Sequence, residues 1–176
     1  MQIDFTKNHF ELFGLPLQFE IDPDLLARTF RALQSEVHPD RFAAAPDTEQ
    51  RIAMQWATRV NEAYRILKKP LARARYLLSL HGTDTAEETN TSMPTDFLME
   101  QMEWREQVSR AHEQANAALL DSVITNLASA QSTMFAELRS QLNSAQWPLA
   151  ALTVRKLRFL EKLGEEIDNT RESLEI

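Results

Sequence analysis

Residues 22–42 read DPDLLARTFRALQSEVHPDRF, and they carry the clearest helix start, apolar periodicity and helix stop in the first half of the chain. Asp22 followed by Pro23 is typical of a helix N-cap with proline at the first helical position. Apolar residues then recur at intervals of four, three and four: Leu26, Phe30, Leu33 and Val37. This spacing predicts an amphipathic helix over about 23–37. The helix is expected to end there because Pro39 has no N–H and disfavours helical geometry in the residue before it.

A loop and a second helix follow. The loop opens with His38-Pro39-Asp40, and Asp47 or Thr48 is expected to cap the next helix. The apolar stripe of that helix is Ile52, Trp56, Val60, Ala63 and Leu67. The two helices therefore form an antiparallel hairpin with the tripeptide at its tip. Shorter helices are predicted on either side of the hairpin, at Phe10 to Leu15 and at Leu71 to Leu80.

Composition favours an all-α protein. Only 3 of the 176 residues are Gly, which leaves few turn residues for a β protein, while good helix formers dominate. The chain has 0 Cys, so it forms no disulfide and offers no thiolate to a metal ion or an iron–sulfur cluster. No uncharged stretch is long and apolar enough to span a bilayer, and the first residues resemble neither a secretory nor a transit signal. We therefore expect a soluble, cytoplasmic protein without a membrane partner.

The two halves of the chain differ in charge. Residues 1–80 hold 11 Lys and Arg against 10 Asp and Glu, a net charge of +1, and residues 81–176 hold 8 against 16, a net charge of −8. The formal charge of −7 therefore belongs to the second half. Because an acidic body repels phosphate, we expect no nucleic-acid partner.

The segment 83–95 separates two expected domains, 1–82 and 96–176. It collects Thr, Asn, Ser and Pro without apolar periodicity, which is typical of a linker. Three apolar seams in the second domain predict an antiparallel three-helix bundle, with breaks near Leu120-Asp121 and from Asn143 to Pro148. The seams are Phe97, Trp104, Val108, Ala111, Ala115 and Ala118, with polar Gln101 among them; Leu120, Ile124, Leu127, Met134 and Leu138; and Ala150, Leu157, Leu160, Ile167 and Leu174.

His38-Pro39-Asp40 is the most informative tripeptide, because it displays an imidazole and a carboxylate with no apolar neighbour to bury them. Taken alone it is compatible with an ordinary loop, since all three residues are common in loops. An enzyme would use His38 as a general base oriented by Asp40. However, no nucleophile motif, phosphate-binding Gly loop or second His at ligand spacing accompanies it. We therefore expect no catalytic residue, no metal site and no cofactor.

Three stretches of the first half occur together: FELFGL at 10–15, HPDRF at 38–42 and VNEAYRIL at 60–67. In this order and spacing they resemble the J domain of DnaJ-type co-chaperones over about 5–80. The resemblance implies docking on a DnaK-type chaperone and stimulation of its ATP hydrolysis. The implied contacts are His38, Pro39 and Asp40, flanked by the basic residues Arg28, Arg31 and Arg41. Two Arg alone would be equally typical of a solvated helix flank.

The rest of the chain departs from ordinary J proteins. KPLARARYLLSLHG at 69–82, FLMEQMEWRE at 97–106 and TVRKLRFL at 153–160 resemble the HscB family, so the likeness covers nearly the whole chain. It implies a J domain that engages the chaperone HscA and a bundle that holds the scaffold protein IscU, for iron–sulfur cluster assembly. A J protein with an unrelated client is the alternative.

Helical geometry predicts an exposed apolar face beside the first bundle seam. At about 100° per residue, Leu98 and Met102 lie well around the helix from Phe97, with Met99 beyond them. Phe159 is similarly expected to miss the seam of its own helix. Exposed apolar side chains rimmed by Glu100, Glu103 and Glu106 suit an interface with an apolar centre and a charged edge.

The family resemblance gives this face a partner. It implies scaffold contacts at Leu98, Met99, Met102, Glu103, Glu106 and Phe159. Alternatively, Leu98 and Met102 pack under the linker or against the J domain. Arg110, one turn after Glu106, interrupts the acidic row and leaves its extent open.

Overall fold

The computed structural model describes residues 4–85 and 92–173. Within these ranges the chain is helical and has no strand, so the predicted all-α fold is confirmed. The chain divides into two compact units, Met1–Leu80 and His81–Ile176. The helices are α1 (His9–Leu12), α2 (Pro23–Val37), α3 (Asp47–Lys68), α4 (Pro70–Leu80), α5 (Thr95–Glu113), α6 (Ala117–Asn143) and α7 (Trp147–Ser173).

Residues 86–91 of the predicted linker lie outside the described residues. Residues 83–85 and 92–94, on either side of that gap, are not helical. In the described part of the chain, no helix combines the length and the apolar character needed to cross a bilayer.

A helical hairpin of α2 and α3 forms the centre of the first unit. As predicted, Asp22 caps α2, because its Oδ1 accepts two backbone N–H groups of the first turn at 2.9 and 3.1 Å. The predicted cap of α3 is wrong. The N-cap position belongs to Pro46, which has no side chain able to accept a hydrogen bond, and Asp47 is already helical. Asp47 instead places a carboxylate in the first turn, where the helix dipole favours negative charge.

The buried stripe of α3 is shifted by one residue at its start. Trp56 and the three later residues of the predicted stripe are buried, but Ile52 is 43% exposed. Ala53 is buried in its place. Since Ala53 and Trp56 are three residues apart, the true stripe keeps the three-four spacing, and Ile52 lies about 100° off it.

A buried cation joins α4 to the rest of the first unit. Arg73 donates from Nε to the carbonyl of Phe19 at 2.7 Å and from Nη1 to the carbonyl of Leu67. Its guanidinium also lies 5.1 Å from the centroid of the Phe19 ring. Burial lowers the pKa of Arg73, as desolvation does for any buried cation. Arg73 therefore ties the segment before α2 and the end of α3 to α4.

The second unit is the predicted three-helix bundle, with its core between α5, α6 and α7. Phe97, Trp104, Val108 and Ala111 of the first seam are buried, and Gln101 is buried among them. Two predicted seam positions are wrong, because Ala115 and Ala118 are exposed. Leu174 of the third seam lies outside the described residues.

The first bundle turn falls earlier than predicted. Instead of breaking near Leu120-Asp121, the chain turns at Ala115, whose φ is +46°. The N–H of Asn116 donates to the carbonyl of Ala111 at 2.8 Å, which is the hydrogen bond of a Schellman motif. Asn116 Oδ1 then accepts the N–H of Leu119 at 3.0 Å and starts α6. The second break lies inside the predicted interval, at Ala145 with φ +54°.

Candidate functional site

The hairpin tip, His38–Phe42, is shaped by its own short sequence. α2 ends at Val37, His38 is extended (φ −59°, ψ +131°), and Pro39 opens a short 3-10 turn. The backbone N–H of Asp40 donates to His38 Nδ1 at 3.3 Å. The contacts of the ring within the turn are made through Nδ1, so Nε2 is the ring nitrogen that is left to meet a partner.

Both ionisable side chains of the tip face solvent. The side chain of His38 is 59% exposed and that of Asp40 is 88% exposed, and His38 Nδ1 lies 3.4 Å from Asp40 Oδ2. Both groups keep most of their hydration in the free protein and lose it only when a partner covers them. This exposure therefore suits recognition by another protein. Among the described residues, no group of three or more His, Cys, Asp and Glu side chains is arranged to hold a metal ion.

The structure brings only some of the predicted basic residues to the tip. A groove between α2 and α3 is lined by Arg31, His38 and Arg41. Arg28 is exposed on α2 but does not line this groove. Arg41 donates from Nη1 to the carbonyl of Ser35 at 3.2 Å, so its guanidinium is held against the end of α2. Arg31 is therefore the basic residue best placed to share a partner with His38.

Gln34 and Asn61 also line this groove, and neither was among the predicted site residues. Gln34 donates from Nε2 to Asn61 Oδ1 at 3.3 Å, a contact that spans the hairpin below the tip. Gln34 was detectable in principle, since it lies one turn after Arg31 on α2 and four residues before His38. Asn61 lies in the stretch VNEAYRIL at 60–67, but only the fold brings α3 beside Gln34.

The α5 face, which we define as Leu98, Met99 and Met102, is exposed as helical geometry predicts. The three side chains are 39%, 59% and 70% exposed. Phe97 and Trp104 on the opposite side of the same helix are buried. The alternative, in which Leu98 and Met102 pack under the linker or against the J domain, involves residues 86–91, which lie outside the described residues.

Phe159 does not belong to that exposed set, and the prediction that it misses the core is wrong. It is half-buried and packs against the bundle core. Its ring meets Phe97 edge-on, with 6.5 Å between the ring centroids. α7 packs on both α5 and α6, so it buries a wider arc of its surface than one apolar seam. The prediction for Phe159 considered only that one seam.

The acidic rim divides into free and paired carboxylates. Glu106 accepts from Arg110 Nη2 at 3.1 Å, one helical turn away. Glu103 is exposed and makes no ion pair with any described residue. Arg110 thus partly neutralises one end of the rim, and the field available to a partner is stronger near Glu103.

Comparisons with known proteins agree along the whole chain. Residues 93–168 match the family described as the HSCB C-terminal oligomerisation domain. A co-chaperone protein HscB homolog of Azoarcus sp. is 50% identical over 176 residues, which is 99% of each chain. The homolog of Paraburkholderia phymatum is 49% identical over 97% of each chain.

Two solved structures have the same fold. The chaperone HscB from Vibrio cholerae has a TM-score of 0.84 and 43% identity, with 96% of this chain and 99% of that chain covered. The human co-chaperone protein HscB has a TM-score of 0.90 and 29% identity, with 96% of this chain and 84% of that chain covered. The first unit is thus a J domain and the second is the C-terminal helical domain found with it.

Proposed function

Because this chain belongs to the HscB family of co-chaperones, we propose that it stimulates ATP hydrolysis by the DnaK-type chaperone HscA and delivers the scaffold protein IscU to it, for iron–sulfur cluster assembly. The chain acts in the cytoplasm as an adaptor without catalytic activity or a cofactor of its own. Residues 1–82 act as the J domain, 83–95 as the linker and 96–176 as the scaffold-binding bundle.

The exposed hairpin tip is the observation that carries this proposal. The His38 imidazole and the Asp40 carboxylate offer hydrogen-bonding groups side by side, and the local turn holds the imidazole through Nδ1 and leaves Nε2 for a partner. Hydrogen bonds to a charged group that are desolvated on docking contribute about 1.5–3 kcal/mol each. Arg31 adds a positive charge in the same groove. Such a surface recognises an acidic, hydrogen-bonding site on the ATPase.

The α5 face supports the second half of the proposal. Its three apolar side chains form the centre of an interface, and Glu103 and Glu106 form its edge. Met side chains adapt their shape to a partner at little cost. Phe159 contributes from the side as a half-buried neighbour of Phe97, so it both supports the α5 face and contacts the scaffold.

Bivalent attachment provides the coupling between the two activities. A protein that holds scaffold and chaperone together turns their encounter into an intramolecular event at high effective concentration. A face with a few apolar anchors gives micromolar binding, about 8 kcal/mol. That affinity allows the scaffold to be released after handover.

Single-turnover ATPase measurements on HscA test the proposal. This protein and IscU are added separately and together, and we expect stimulation beyond the sum of the two separate effects. Additive stimulation would contradict the coupling. Stimulation by this protein without any binding of IscU would favour the J protein with an unrelated client, and turnover of a small substrate by the isolated chain would contradict the adaptor role.

A further inference from the structure

A groove runs along the edge of the α5 face and has not been assigned a role. Its α5 wall consists of Asp96, Met99, Glu100 and Glu103, its floor includes Phe97, and its other wall comes from Met134 of α6 and Lys156 of α7. Met134, Glu100 and Lys156 lie outside the set of scaffold contacts that the sequence predicts. The groove continues the α5 face, because Met99 and Glu103 belong to both.

Three carboxylates lie on the α5 wall of this groove without an ion-pair partner. Asp96, Glu100 and Glu103 make no ion pair with any residue that the structure describes. Three other carboxylate-bearing side chains of the bundle do pair: Glu106 with Arg110 at 3.1 Å, Glu166 with Arg105 at 3.2 Å and Glu161 with Arg158 at 3.1 Å. The α5 wall holds three negative charges against the one positive charge of Lys156, so a positively charged partner complements it best.

The other wall carries a single cation that is held in place. Lys156 is half-buried, and its Nζ lies 5.3 Å from the centroid of the Phe97 ring. This cation–π contact holds the ammonium group over the Phe97 floor of the groove. A positive group of a partner is thus drawn to Glu100 and Glu103 and repelled from the part of the floor that Lys156 covers, which fixes the direction in which a peptide segment lies.

Each wall of the groove also carries an apolar, adaptable side chain. Met134 packs against the bundle core with part of its side chain uncovered. It faces the groove opposite Met99, which is 59% exposed. Two thioethers on opposite sides of a groove can accommodate an apolar side chain of variable shape.

We propose that this groove is a second recognition site for the protein bound on the α5 face, and that it takes an apolar side chain flanked by a Lys or Arg. The apolar side chain lies between Met99 and Met134, and the basic group pairs with Glu100 and Glu103. Lys156 determines selectivity, because it disfavours a positive charge on its own side. The inference rests on the proposed binding of the IscU scaffold and names three further residues that contact it.

Calorimetric titration of purified IscU into the full chain and its variants tests the inference. We expect Met134→Ala to weaken binding about tenfold, the effect of one well-placed interface side chain, and Glu100→Gln to weaken it about threefold with a smaller salt dependence. Lys156→Gln should tighten binding about threefold, since a like charge is removed. Glu137→Gln on the exposed surface of α6 is the control and should have no effect.

The variants separate this inference from the proposed function. If Met102→Ala weakens IscU binding while Glu100→Gln and Met134→Ala do not, the α5 face binds the scaffold and the groove does not. Weaker binding with Lys156→Gln would contradict the proposal that the bound segment is basic and would indicate an acidic segment. Absence of binding by the unmodified chain overturns both claims. Glu100 is exposed, so its variant decides the question even if Met134→Ala lowers the thermal stability.

Discussion

The hairpin tip and the α5 face are built in opposite ways. The tip is a local device: an extended residue, a proline and one side chain to backbone hydrogen bond within three positions, His38 to Asp40. The α5 face is instead the side of α5 that α6 and α7 leave uncovered, and it carries Leu98, Met99 and Met102. A local turn is encoded by consecutive residues, whereas an uncovered helix face depends on how the whole core packs.

Because the two sites are built differently, substitutions at each of them are expected to have different effects on binding and on stability. The side chains of His38 and Asp40 are exposed, so we expect changes to these two residues to affect the proposed docking and not the stability of the core. The α5 face lies beside Phe97 and Phe159, which belong to the packed interior. Changes there affect binding, stability or both, depending on the residue. The following predictions test this contrast.

The largest expected effect on activity comes from His38→Gln at the tip. Gln lacks the rigid imidazole ring that accepts the Asp40 N–H, so we expect loss of HscA stimulation by about tenfold or more, equivalent to at least about 1.4 kcal/mol in the activation barrier. Single-turnover ATPase rates measure this, and the helical circular dichroism signal and scaffold binding should not change. His112→Gln on the exposed surface of α5 is the matched control. Unchanged stimulation would remove the tip from the docking site.

Arg73→Met tests whether the first unit, which carries the tip, unfolds independently of the bundle, which carries the α5 face. Two carbonyls lose a charged donor, so we expect the free energy of unfolding of the first unit to fall by about 3 kcal/mol. Hydrogen exchange of α3 and α4 amides should accelerate, while amides of α5 to α7 keep their protection. Arg51→Met at an exposed site serves as the control. Equal acceleration in both units would show that they unfold together.

Replacing Leu98 and Met102 together by Ala should weaken scaffold binding by about 2 kcal/mol and leave the melting temperature unchanged. Phe159→Ala should instead lower both the affinity for the scaffold and the melting temperature, because its ring packs against Phe97. Isothermal titration and thermal unfolding measure the two effects. Leu149→Ala, at a site 51% exposed on α7, is the control for loss of an exposed Leu. A fall in melting temperature for the Leu98 and Met102 variant would place those residues in the core.

Gly164→Ala acts on the core side of the bundle, away from the α5 face. Gly164 lies inside α7, and an added Cβ would meet only Leu127 Cδ2 at 3.9 Å, an ordinary contact. We expect the free energy of unfolding to rise by about 1 kcal/mol, with no change in scaffold binding. Denaturant titration measures the first and calorimetry the second. A loss of stability would mean that the site has less room than the backbone implies.

The smallest effect is expected for Ala115→Gly in the turn between α5 and α6. Ala115 has a φ of +46°, which Gly adopts without a Cβ penalty, although Gly also gains freedom in the unfolded chain. The net gain should be about 0.5 kcal/mol by denaturant titration. Ala128→Gly inside α6 is the opposite control and should cost about 1 kcal/mol.

The sequence predicted the features set by short-range rules. The start of α2 at Asp22, its end before Pro39 and the second bundle break followed from capping residues and proline. The first bundle break was misplaced because Ala115 carries no turn signal of its own. Asn116 provided the signal as an N-cap, but an apolar seam that continued through Ala115 and Ala118 concealed it.

The candidate site divides along the same line. The sequence identified the tip tripeptide and the exposure of the α5 face, since both follow from local geometry. It did not identify the Gln34–Asn61 contact or the pairing of Arg41 with Ser35. It also misjudged Phe159, because the number of neighbours around a helix cannot be read from its own periodicity.

By itself, the sequence determined the helical class of the protein, the order of its elements, the division of charge between its halves and the chemistry at the hairpin tip. These depend on backbone preferences and on residues within a few positions of one another. Only the tertiary structure decided which charges of the bundle pair with each other and which face a groove, and how deeply Phe159 is buried. The reason is physical: burial and ion pairing depend on distances between helices that are far apart in sequence, and those distances exist only once the core has packed.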